Sequence, residues 1–147
     1  MNGLGLRLFE HIHGHLGWLA TLALAHPALL LRSPRRRALL AATLATALVT
    51  LTGIMGALLY PAYRSLVKPK LFATSPAFGN AFERKEHLAI AVVALAWVGL
   101  LAHWAECRER GVARHSSRIA FVAYTGAALL AFATASLGLA VAACSSF

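Results

Sequence analysis

The segment Glu10–Trp18, which reads EHIHGHLGW, places three imidazoles within five residues just before an apolar stretch. Successive residues of an α-helix are rotated by about 100°, so His11 and His15 lie about 40° apart and share one face. His26 continues this stripe, because it lies about 20° from His15 around the helix. His13 points to nearly the opposite side, and we expect it at an interface or in water. The segment thus predicts one stripe of three imidazoles and one outlier.

Glu83 and His87 form a second polar pair at the start of a later apolar stretch. They are four residues apart, which places both side chains on one helix face. Counted back from the arginine that ends each stretch, His87 lies as deep as His11. His103 lies about as deep as His26 by the same count, with ~22–24 Å between the two levels. His87 and His103 fall about 160° apart around a straight helix, so a shared site at the level of His87 is the better placed.

These residues belong to a chain whose composition suits lipid. Of the 147 residues, 59% are hydrophobic and 13% are charged, and the mean hydropathy is +0.68. A soluble domain of this size needs more polar surface. A membrane-spanning helix takes about 20 apolar residues, and the sequence predicts an all-α integral membrane four-helix bundle. It forms one domain over 1–147, with spans at about 9–31, 38–60, 81–106 and 118–144.

Basic residues predict the orientation of the bundle. The connection 32–37 contains four arginines, and the segment 107–118 after the third span contains four more. Lys and Arg are enriched in cytoplasmic loops, so both connections are predicted inside and both termini on the outer side. The net charge of +9 is assigned to lipid headgroups and not to nucleic acid. We expect the bacterial inner (cytoplasmic) membrane as the location.

The remaining connection is the longest and is predicted as an outer loop over 61–80. Its end carries Asn80, followed three residues later by Glu83. A side chain that accepts hydrogen bonds, followed at this spacing by a carboxylate, is a variant of the capping box that begins many helices. The third helix is therefore predicted to begin near Asn80, before its apolar stretch.

Histidines on two helices of a membrane bundle resemble the b-type cytochromes, in which such residues ligate haem iron. The resemblance covers the four-span layout, an outer pair formed by His15 or His11 with His87, and an inner pair of His26 and His103. It implies one haem b near the outer face, a second at the inner pair, and electron transfer between a quinone pool and another carrier. Imidazole is an ordinary haem ligand, and an apolar bundle can enclose the macrocycle. The chain would then be a redox subunit of a larger respiratory-type complex, beside other integral membrane subunits, with no catalysis of its own.

Two other interpretations use the same residues. His11, His15, Glu83 and His87 offer three imidazoles and a carboxylate, a ligand set suited to zinc, iron or copper. Alternatively, the histidines only reach water from the ends of membrane helices, and the chain is a structural or assembly subunit without a prosthetic group. The second span is also predicted to use its threonine hydroxyls in hydrogen bonds to helix backbone or between helices. These threonines are Thr43, Thr46, Thr50 and Thr52.

Overall fold

The computed structural model describes residues 3–32, 38–108 and 113–144, and almost all of them are helical. The elements are α1 (Gly3–Leu30), α2 (Ala38–Ala62), a π-helical segment (Tyr63–Val67), α3 (Lys68–Thr74), α4 (Pro76–Arg108) and α5 (Ala113–Cys144). No β-strand occurs in the three described ranges. The predicted all-α class is confirmed.

Three helical stretches are long and apolar enough to cross a membrane, by length and composition. They are Ala38–Thr74, Pro76–Arg108 and Arg118–Ala143. Their outer faces expose large aliphatic side chains, for example Leu58 at 68% and Ile90 at 70%. Extended apolar surface of this kind is rare on soluble monomers and suits contact with lipid. The chain is therefore a membrane protein, as its composition predicts.

The four long helices pack side by side, with α1 and α4 diagonally opposite each other. α1 packs against α2 and α5, and α4 packs against the same two helices. Contacts among Glu10, Tyr63 and Lys85 bring the starts of α1 and α4 together with the π-helical segment, and we call this the Glu10 end. The opposite end, where α4 finishes, is called the His103 end. A haem shared by α1 and α4 would have to lie across the centre of the bundle.

Tyr124 of α5 occupies that centre and is fully buried. Its hydroxyl oxygen lies 2.9 Å from Thr46 Oγ1 and 3.1 Å from the carbonyl oxygen of Ala42, both on α2. The ring lies over Gly99 of α4, where an added Cβ would stand 2.8 Å from ring carbons Cδ2 and Cε2. Lipid offers no hydrogen-bond partner, so such a hydroxyl is satisfied only between helices. Tyr124 therefore joins α2, α4 and α5.

The threonines of α2 bond as predicted. Thr43, Thr50 and Thr52 each donate to the carbonyl oxygen four residues earlier, at 2.9, 2.7 and 2.9 Å. Thr46 differs because it donates to the carbonyl oxygen of Ala96 on α4, at 3.3 Å. Both predicted kinds of hydrogen bond are present, and they satisfy these hydroxyls within the apolar bundle.

The segment predicted as a loop over 61–80 is helical almost throughout, so that prediction is wrong. The helix of α2 continues through the π-helical segment and α3, and only Ser75 interrupts it, with φ −162° and ψ 128°. The Ala77 N–H donates to Ser75 Oγ at 3.3 Å, and Pro76 occupies the first helical position. A serine cap followed by proline is a strong helix start. α4 therefore begins at Pro76, and Asn80 is an exposed residue inside the helix.

Candidate functional site

The predicted ligand histidines of α1 lie on its exposed side. His11, His15 and His26 are exposed, whereas His13 is half-buried. The separation of His13 from the other three is as predicted. The stripe was expected to face the bundle, but in the structure His13 turns inward and the stripe turns outward.

Two buried side chains show which face of α1 turns inward. Ala20 and Leu24 are buried in the core against α2 and α5. Each lies about 20° from His13 around the helix, so packing these two residues carries His13 inward as well. The second half of α1 is apolar on nearly every face, so hydrophobicity alone does not reveal which side packs.

His87 and Glu83 do not meet the imidazoles of α1 at a common site. His87 is exposed, and its Nδ1 lies 2.8 Å from the carbonyl oxygen of Glu83. The Glu83 carboxylate instead binds Lys68 of α3, with 2.6 Å between Nζ and Oε1. Within the described ranges, no group of three or more His, Cys, Asp or Glu side chains is placed to hold a metal ion. The metal site stays a prediction from the sequence.

The inner pair is separated as well. His26 is exposed and lines an open apolar groove of about 310 Å³ between α1 and α2, together with Leu40 and Leu44. His103 is buried at 5% exposure on the diagonally opposite α4. Its Nδ1 lies 3.2 Å from Glu106 Oε2, and its Nε2 lies near a cysteine of the same helix. Both ring nitrogens of His103 therefore have partners on α4 itself.

In the described part of the chain, a polar cluster of ionisable groups packs between helices at the Glu10 end. It consists of Glu10 and His13 on α1, Tyr63 on the π-helical segment, and Lys85 and Glu86 on α4. The Tyr63 hydroxyl donates to the Glu10 carboxylate. The Glu10 and Glu86 carboxylates are the charges that favour the half-buried Lys85 ammonium. The cluster thus joins α1, the π-helical segment and α4.

Lys85 lies among aromatic and backbone surfaces. Its Nζ is 5.8 Å from the centroid of the Tyr63 ring and 5.5 Å from that of the Phe82 ring. An added Cβ at Gly138 of α5 would stand 3.7 Å from Nζ. An ammonium over ring faces gains cation–π attraction, which offsets part of its lost hydration. The long stem of Lys85 therefore fills the space between α4 and α5 at this end.

His13 fills the neighbouring space between α1 and α2. A Cβ added at Gly56 would stand 3.1 Å from His13 Cε1, a tight contact that would press on the ring. His13 Nδ1 is buried and has no hydrogen-bond partner among the described residues. Lys85 is the charged neighbour that acts on this imidazole. His13 and Lys85 together occupy the interior of the Glu10 end.

Substituting Gly56 tests this packing. Gly56→Ala should be less stable than the matched Gly126→Ala by about 1–3 kcal/mol, because overpacking strains a close contact. An added Cβ at Gly126 would meet only Leu95 Cδ1, at an ordinary 3.5 Å. Both changes give the same gain in helix propensity, so their difference isolates the contact with His13. Detergent-induced unfolding measures it, and equal stabilities would contradict the placement of His13.

Sequence reasoning missed Tyr63, Lys85 and Glu86 as members of the cluster. Tyr63 stands in the run PAYRSLVKPK, which mixes aromatic residues with lysines as an interfacial segment does, and the other two stand in the charged run FERKEH. The useful signal was the density of charges at the start of α4, where a lipid-facing helix tolerates few of them. What the sequence did not reveal is which of these charges turn inward.

Comparisons with protein-family models, with curated proteins and with solved structures found no match to this chain. Its class therefore follows from fold and site alone. It is an all-helical membrane protein whose described helices meet in an apolar centre, with a polar cluster packed at one end.

Proposed function

We propose that this chain is a structural or assembly subunit of a larger membrane complex, without a prosthetic group inside its own bundle, and that α1 is its fourth span. One observation carries the proposal. At the level predicted for an outer haem, His13 packs on Gly56 and Lys85 packs on Tyr63 and Phe82. Protein interiors are close-packed, so a macrocycle at this level would have to displace these side chains.

The exposed imidazoles support a neighbouring subunit. His11 and His15 stand on one outward face of α1, at the edge of its apolar half. That half, 16–31, spans only about 24 Å at 1.5 Å per residue, which is short of the ~30 Å hydrocarbon core. Polar groups on a lipid-facing helix are costly unless headgroups or another protein cover them. A subunit packed against this face of α1 would supply that cover.

An absorption spectrum combined with native electrophoresis tests the proposal. Mild solubilisation of native membranes should release the chain in a complex much larger than its own 15.6 kDa. The chain purified alone from haem-replete cells should show no Soret band. A chain that migrates as a monomer, or one that carries haem when isolated, would overturn the assignment.

A second candidate function is the one that the resemblance to b-type cytochromes implies, with haem b held between subunits. The observation that supports this second function concerns His87. Its Nδ1 lies 2.8 Å from the Glu83 carbonyl oxygen, and because a carbonyl oxygen can only accept a hydrogen bond, Nδ1 is the protonated nitrogen. The lone pair of Nε2 then remains available for iron, the arrangement usual for ligand histidines. A partner subunit would provide the other ligand, and electrons would pass between a quinone and another carrier. His103 has no part in this version, since both of its nitrogens have partners.

A spectrum of the intact complex distinguishes the two proposed functions. A reducible α-band that disappears in His87→Ala, and persists in His26→Ala, supports haem at the subunit interface. His26 is the matched control because it is also an exposed histidine, but it lies toward the opposite end of α1. An intact complex without a haem spectrum supports the structural subunit.

We further propose that the Glu10 end faces outward across a bacterial inner membrane, as the arginines of the two short connections favour. Cys107 is exposed and lies near the His103 end. In a Cys144→Ser background, and after hydroxylamine has cleaved any thioester, a membrane-impermeant maleimide should label Cys107 in inverted vesicles but not in intact spheroplasts. Lys70→Cys, exposed on α3, should give the reverse pattern when combined with Cys107→Ser. The opposite labelling pattern would invert the orientation.

A further inference from the structure

A thiol, an imidazole and a carboxylate meet in the last two turns of α4. Cys107 Sγ lies 4.0 Å from His103 Nε2, and His103 Nδ1 lies 3.2 Å from Glu106 Oε2. The spacings of three and four residues place all three side chains on one helix face. Cys107 is exposed, whereas the His103 ring is buried. The imidazole is therefore held in place by the surrounding protein, while the sulfur can be reached from outside.

The order of these contacts matches an assisted nucleophile. The Glu106 carboxylate accepts the Nδ1–H of His103, which leaves the lone pair on Nε2 directed at the thiol. A thiol next to a base, with the base oriented by a third group, is the arrangement that activates cysteine nucleophiles. Burial of the His103 ring holds the base in place without blocking the sulfur. A purely structural role for His103 would explain its contact with Glu106. It would not explain why an exposed thiol lies beside the other ring nitrogen.

The surroundings indicate which electrophile reaches the thiol. Leu101 and Trp104 are exposed on the same part of α4, and the Arg108 guanidinium lies 4.8 Å from the centroid of the Trp104 ring. Tryptophan and arginine of this kind mark the boundary between hydrocarbon and headgroups. A reagent that concentrates there has an apolar chain and an anionic head. A long-chain acyl thioester of a phosphate-bearing carrier meets both conditions.

We propose that Cys107 is an S-acylation site that takes a long-chain acyl group from such a thioester, with His103 as base and Glu106 as its positioning residue. The Cys107 sulfur attacks the thioester carbonyl carbon while His103 Nε2 takes the thiol proton. The bond from that carbon to the carrier sulfur then breaks, and His103 returns the proton to the leaving thiolate. One thioester is replaced by another, with no change in oxidation state. The acyl chain would lie along the apolar face that Leu101 exposes.

The test uses the full chain in lipid nanodiscs, carrying Cys144→Ser, with palmitoyl coenzyme A as the probe. Intact mass should show one added acyl group that hydroxylamine removes, and Cys107→Ser should show none. His103→Gln should slow acylation at least about 100-fold, the lower end of general-base effects. Glu106→Gln should slow it less and shift its pH profile, because the base is retained but less well oriented.

A displaced cysteine is the matched control. Leu101→Cys in the Cys107→Ser background presents an exposed thiol on the same helix, about 160° around it from the base, and should react as slowly as His103→Gln. Equal acylation rates in the parent and in Glu106→Gln and His103→Gln variants with unchanged unfolding would overturn the proposal. So would the absence of hydroxylamine-sensitive acyl groups on Cys107. If His103→Gln does not fold, the Glu106→Gln pH profile and the Leu101→Cys rate decide.

Discussion

Tyr124→Ala should lower the free energy of unfolding of the detergent-solubilised bundle by about 3–5 kcal/mol, as large aromatic-to-alanine changes in cores do. The Tyr124 ring fills the space over Gly99, so its removal leaves a cavity where α2, α4 and α5 meet. Its hydroxyl contacts both Thr46 and the Ala42 carbonyl oxygen, which would lose a partner in an apolar environment. Denaturant titration followed by tryptophan fluorescence measures the effect.

Two matched variants divide this effect into packing and hydrogen bonding. Tyr124→Phe keeps the ring and should cost only about 1–2 kcal/mol, the range for losing a buried hydrogen bond. Leu129→Ala removes a side chain that is 67% exposed on the same helix, and it should change stability little. If Tyr124→Ala were as mild as Leu129→Ala, the centre of the bundle would not be where the structure places it.

Glu10→Ala should destabilise the chain by about 1–3 kcal/mol, because it leaves polar groups of the cluster without their partner. The Glu10 carboxylate accepts the hydrogen bond of the Tyr63 hydroxyl, and it also favours the Lys85 ammonium. The same change should increase hydrogen exchange at the start of α1, since these contacts attach that helix to the π-helical segment and α4. Unfolding curves and exchange mass spectrometry provide the two measurements.

The companion variants identify which property of Glu10 matters. Glu10→Gln retains an acceptor for Tyr63 but removes the charge near Lys85, so we expect an intermediate loss of stability. Lys70→Ala removes an exposed charge on α3 and serves as the control, with no measurable change expected. Faster exchange throughout the bundle, and not mainly in α1, would contradict a local role for the cluster.

The prediction of the outer loop failed for a local reason. Proline, lysine and serine in 61–76 suggested a connection, yet proline at a helix start and a serine cap are equally compatible with helix. The structure uses Ser75 as the cap and continues α4 back to Pro76. The predicted start near Asn80 is therefore wrong, and the residue that caps α4 lies five positions earlier.

The amino-acid sequence by itself determined the all-helical membrane class, most of the helices, the threonine hydrogen bonds and the division of the histidines of α1 into a stripe and an outlier. Composition and helical periodicity decide these features, because both are local properties of the chain. Only the tertiary structure decided that His13 and Lys85 turn inward while His15 and His87 turn outward. The reason is that an almost uniformly apolar helix has no preferred face of its own. The close approach of small residues such as Ala20 and Gly56 to neighbouring helices selects that face.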